Sequence, residues 1–111
     1  MNQEFLITFD ETSVADANRY SQDLRSQLLD AASEIQVERK RLDSSTMDFG
    51  ATLVMVLGAP ATLAAAKALV AWAKRNNRAS VTLTTKDGTL VAKNLESKDV
   101  ADVALALQGH H

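Results

Sequence analysis

The stretch 48–78, DFGATLVMVLGAPATLAAAKALVAWAKRNNR, constrains this chain more than any other. From Gly50 to Ala73 it carries one charge, Lys67, and no other segment is as apolar. Such a run belongs at the centre of a core, because removing apolar surface from water is the main favourable term in folding. Gly58-Ala59-Pro60 interrupts it. Proline has a fixed φ and no backbone N–H, so it suits the first turn of a helix and not its interior. Gly58 can leave the helical region at low cost. The expectation is a buried helical hairpin or kinked helix, with a short helix over 49–57 and a longer one starting at Pro60. The predicted core stripe of the second helix is Leu63, Ala66, Val70 and Ala73, with Leu69 and Trp72 on its flank. Ala61, Ala65 and Ala68 make a second, smooth face. Lys74, Arg75 and Arg78 fall at its C-terminal end, where the helix dipole favours cations.

The flanks supply what would wrap this core. EFLITF (4–9) is apolar on both faces and rich in β-formers, as in an interior strand. Ser13 followed by Asp16 resembles a capping box. It opens a helix over 14–32 with Val14, Ala17, Ser21, Leu24, Leu28 and Ala31 inward and Tyr20 at the edge. IQVERKRL (35–42) reads as a second strand. Arg39 and Arg41 share the parity of Ile35 and Val37, so this strand lies at an edge or leaves the core after Val37, and charges on an edge deter pairing with other chains. In ASVTLTTKDGTLVAKN (79–94), Asp87-Gly88 is a two-residue hairpin signal. It would pair Thr85 with Leu90, Leu83 with Ala92 and Val81 with Asn94, gathering Val81, Leu83, Leu90 and Ala92 on one face. Ser97 would cap a last helix whose inner face is Val100, Val103, Ala104 and Leu107. The predicted architecture is a single α+β domain over 1–109, in the order βαβαββα. It has a mixed sheet of about four strands and helices packed mainly on one face. His110 and His111 read as the remnant of a purification tag.

Function classes are narrowed by what the chain contains. Its 111 residues suit one domain. Its net charge is −2, which gives no electrostatic case for a nucleic-acid partner. It has no cysteine, and its two histidines are the terminal pair. The usual neutral-pH base and the usual nucleophile pairings are therefore missing. No glycine pattern cradles a phosphate. Neither catalytic residues nor a cofactor are expected. Asp10, Asp43 and Asp48 would make a hard-cation site only if they converged at one end of the sheet; capping and loop roles compete for each. The N-terminus lacks a basic, apolar leader, so a cytoplasmic protein is expected.

Two surfaces carry the interaction candidates. Trp72 is either an interface anchor or a core residue on the flank of its helix, beside Lys74 and Arg75. Arg39, Lys40 and Arg41 would meet an acidic partner or simply protect the edge. Uncovered strand edges also allow a homo-oligomer. An alternative use of 50–73 is membrane insertion: its length suffices to span, but Lys67 and Gly-Ala-Pro interrupt it.

The block DFGATLVMVLGAPATLAAAKALVAWAKRNN, followed by VTLTTKDGTLVAKNLESKD, resembles the effector-associated constant component family of bacterial conflict (defence) systems. The resemblance rests on Asp48-Phe49-Gly50, the apolar helix pair, Ala71-Trp72-Ala73-Lys74-Arg75, the Asp87-Gly88 hairpin and the basic strand from Val37 to Arg41. It spans about 24–107. It implies a non-enzymatic adaptor or regulatory module encoded beside variable effectors. The implied partner is a protein, such as a caspase-like or trypsin-like protease effector or an NTPase.

Overall fold

Five strands and three helices are seen in a computed structural model that describes residues 3–10, 13–40, 52–76 and 80–108. The elements are β1 (Gln3–Asp10), α1 (Val14–Ala31), β2 (Ile35–Lys40), β3 (Thr52–Leu57), α2 (Thr62–Arg75), β4 (Ser80–Thr85), β5 (Leu90–Lys93) and α3 (Val100–Gln108). Short 3-10 turns occupy Ala59–Ala61 and Leu95–Ser97. The strands form one five-stranded sheet in the order β2-β3-β1-β4-β5. Its first six elements have the split β-α-β (ferredoxin-like) connectivity, and β5 and α3 extend it. This is the expected α+β class with a fifth strand. All neighbouring pairs are antiparallel, so the sheet is not mixed. The reason is β3: it lies between β1 and β2, which would otherwise adjoin as parallel neighbours.

The expected helix over 49–57 is the main correction. Residues 52–57 are a strand, with Leu53, Met55 and Leu57 buried and Thr52, Val54 and Val56 half-buried. Val54 and Val56 are β-branched and pack well on a pleated surface. The six-residue strand pairs with β1 on one side and β2 on the other. Both neighbours thereby satisfy backbone groups that a helix here would leave open. The Gly58-Ala59-Pro60 break does occur, but it joins a strand to a helix. Gly58 is extended and Pro60 lies in the 3-10 turn that leads into α2.

The core lies on one side of the sheet. The register aligns Ile35 and Val37 of β2, Leu53, Met55 and Leu57 of β3, Phe5, Ile7 and Phe9 of β1, and Val81 and Leu83 of β4 on a common buried face. The three helices complete the cluster. From α1 come Ala17, Leu24 and Leu28. Its start is as expected, with Ser13 Oγ accepting from the Asp16 N–H at 3.1 Å. Ala31, expected inward, is exposed. The buried arc of α2 is centred near Leu69 and takes in Ala65, Ala66, Val70, Trp72 and Ala73. Ala66, Val70 and Ala73 are buried as expected, but the arc is turned roughly 60° round the helix from the predicted stripe, so Leu63 falls outside it and is 50% exposed. Val103, Ala104 and Leu107 of α3 are buried as expected. Ser97 does not cap α3. Its hydroxyl donates to the Asn94 carbonyl and closes the preceding turn.

The β4–β5 hairpin forms, with a loop one residue longer than expected. The Gly88 N–H donates to the Thr85 carbonyl, the Thr85 N–H donates to the Thr89 carbonyl, and Gly88 alone in the loop has positive φ, at 94°. That is a type I turn followed by a left-handed glycine. Thr84 consequently faces Leu90, while an irregularity between Leu83 and Thr84 restores the expected Leu83–Ala92 pair. Leu90 therefore leaves the core face and is 52% exposed. Ala92 packs against the core as expected, and Val91 joins it.

Candidate functional site

Trp72 belongs to the core. Its position on α2 brings the ring between β1 and α1, edge-on to Phe9 at 5.7 Å and to Tyr20 at 5.6 Å. Its Nε1–H donates to Asp23 Oδ2 at 2.7 Å, so the ring's one polar group is satisfied while its surface is buried. A side chain with no exposed area presents no anchor, and the interface reading of Trp72 gives way. Lys74 and Arg75 are exposed in the last turn of α2.

The basic strand β2 lies at the edge of the sheet. Its Val37 carbonyl accepts from Arg25 Nε of α1 at 3.0 Å. Arg39 projects back over the same helix, and its Nη2 donates to Asn18 Oδ1 at 2.6 Å. An open cleft of about 580 Å³ lies between α1 and β2, lined by Gln22, Arg25, Ser26, Glu38 and Arg39. Among the described residues, the one ion pair is Arg19–Asp16 at 2.8 Å, on the exposed surface of α1. Glu38 therefore pairs with neither arginine of the cleft. Lys40 pairs with Thr52 in the ladder. Arg41 lies outside the described residues. Arg25, Gln22 and Ser26 were not singled out in the sequence because on α1 they have the spacing of an ordinary solvated face.

The second surface was hidden by the helix expected over 49–57. On the side of the sheet away from the helices, Glu38, Val54, Leu6, Thr84 and Leu90 form a row across all five strands. Gln36, Val56 and Glu4 form a row on one side of it. Thr8, Thr82 and Lys93 form a row on the other. Leu6, Thr8, Val54, Val56, Thr82 and Thr84 are half-buried, and no described element lies over them. The face thus has an uncharged centre of leucine, valine and threonine, with Glu4, Glu38 and Lys93 at its margins. The available signal was the three β-branched residues in TLVMVL, Thr52, Val54 and Val56, six residues being short for a helix.

Asp10 is exposed and accepts from the Thr82 hydroxyl. Asp43 and Asp48, its proposed companions, lie outside the described residues. Among the described residues no group of three or more acidic or histidine side chains gathers as a metal site. No described helix is long and apolar enough to cross a membrane. Much of the apolar segment offered for insertion is core: Leu53, Met55, Leu57, Ala65, Ala66, Leu69 and Val70 are all buried. Comparisons with protein-family models, curated proteins and solved structures return no match.

Proposed function

We propose that this protein is a non-catalytic interaction module, acting as an adaptor or regulatory component of a bacterial effector system. One observation carries the proposal: a five-stranded sheet with helices on one side leaves Leu6, Val54, Val56 and Leu90 uncovered on the other. Leu6, Val54 and Val56 are neighbours, with Leu90 beyond Thr84, and uncovered apolar side chains clustered in this way mark interaction sites. The residue inventory agrees, since histidine is confined to the last two positions and cysteine is absent. The effector-system context comes from the quoted resemblance, which also supplies a protease effector or NTPase as partner.

The test is co-purification of the intact chain with the products of neighbouring genes. A complex is expected, and Leu6→Lys or Val54→Lys should weaken it at least tenfold without unfolding the protein. Absence of any complex with those products, with and without nucleotide, would remove the proposal.

A further inference from the structure

We propose that the open face of the sheet is covered by a second copy of this chain, in a weak pair with two-fold symmetry. This rests on the reading of that face as an interaction surface and names what sits on it; the effector component then meets the pair. Leu6 and Val54 are direct neighbours across β1 and β3, and Val56 follows on β3. All three are half-buried, with no described element over them. Sheets that face each other pack about 10 Å apart, with their strands nearly aligned because their twists match. A second copy supplies the same twist by identity.

Charge selects the axis. A two-fold along β1 would set Glu4 on Glu4. One across the strands, through the central row, would set Glu38 on Glu38. An axis along the strands, between β1 and β3, avoids both. It lays β1 of each copy on β3 of the other, and β2 on β4. By the register, Leu6 then meets Val54, and Glu4, exposed at the margin, meets Val56. Glu38 meets Thr84, whose hydroxyl can donate to the carboxylate. Glu38 has no ion pair among the described residues. Leu90 and Lys93 fall beyond the overlap, because β5 has no strand opposite it. Four overlapping strands about 4.8 Å apart, contributing six residues each at about 3.3 Å per residue, give a flat footprint of roughly 400 Å² per copy. The pair covers roughly 800 Å² before the relief of the side chains is counted, so it lies at the low end of specific interfaces, below about 1,200 Å². Association is correspondingly weak. Below its midpoint the chain is single, and there open-face substitutions leave its stability nearly unchanged.

The test is sedimentation velocity of the intact protein over the micromolar range. The mass should rise from that of one chain to that of two. Leu6→Lys and Val54→Lys should each raise the midpoint at least about tenfold, because the ammonium is buried against the second copy. Leu90→Lys, on the same face, and Leu63→Lys, on the helix side, should leave it unchanged. Thr84→Lys should tighten association about three- to fivefold by meeting Glu38 of the other copy, and Glu38→Gln should abolish that gain. Within one chain β3 and β1 separate Thr84 from Glu38, so a purely structural role would not couple them. A single-chain mass throughout, a midpoint indifferent to Leu6→Lys, equal sensitivity to Leu90→Lys, or a Thr84→Lys gain that survives Glu38→Gln would overturn the pair. If the chain pairs but captures no product of neighbouring genes, the effector-system proposal fails and the pair stands. If it stays single yet captures such a product through Leu6 and Val54, that product covers the face and only the pair fails.

Discussion

On the helix side of the sheet, Phe5, Ile7, Leu53, Met55, Val81 and Leu83 keep 1% or less of their surface exposed. One residue further along the same strands, Leu6, Val54, Thr82 and Thr84 stay partly open. The backbone is shared and the hydrogen bonds are common to both faces. What differs is the second layer. Burying a large aliphatic side chain contributes about 1.5–3 kcal/mol, and only the covered face collects it in full. The open face is held by its ladders and needs little from its side chains, so its leucines and valines are not explained by the stability of this chain alone.

Substitutions at neighbouring positions can break or sharpen that contrast. Trp72→Ala should cost most, about 3–5 kcal/mol, with Leu53→Ala about 2–5 kcal/mol, both read from urea unfolding. Asp23→Ala keeps the ring but removes the acceptor of its Nε1–H, and should cost about 1–3 kcal/mol in the same assay. Gly88→Ala tests the loop that decides which face Leu90 occupies. An added Cβ meets no atom within 4 Å, so the cost is conformational, about 1–2 kcal/mol at positive φ. On the open face, Val54→Thr and Leu90→Ser should each stay within about 0.5 kcal/mol. If Val54→Thr cost as much as Leu53→Ala, the open face would be covered and the contrast between the two sides would be lost.

The smallest effect is at the hairpin tip, where Asp87 is exposed. The Thr85 hydroxyl, then the Thr89 N–H, hydrogen-bond its carboxylate and hold its pKa below the ordinary 3.8. A depressed folded-state pKa stabilises the fold above the unfolded value, and that contribution is lost as pH falls through the folded one. Melting temperatures of the parent and Asp87→Asn should therefore differ slightly at neutral pH and converge below pH 3.8. A difference that persisted or grew on acidification would contradict the assignment.

Much of the fold was legible in sequence because its signals are local. Ser13 and the spacing of Ala17, Leu24 and Leu28 announced α1, and Val103, Ala104 and Leu107 announced α3. Arg39 pointed to the edge strand, but not to Asn18 or Arg25, which meet β2 only after α1 folds back over it. The open face was illegible because it depends on β3. TLVMVL is apolar at almost every position, so its periodicity does not separate strand from helix.

The sequence by itself determined where the chain turns, which faces of α1 and α3 are largely apolar and that Gly58-Ala59-Pro60 ends one element and begins another. Capping side chains, proline and periodic apolar spacing act within a few residues, so no distant partner is needed to read them. Only the tertiary structure decided that 52–57 is a strand, that Leu90 faces outward and that Trp72 lies inside. Each outcome depends on residues far along the chain: the backbone groups of β1 and β2 awaiting a partner, the β4 ladder that the loop must join, and the Phe9, Tyr20 and Asp23 side chains that receive the indole.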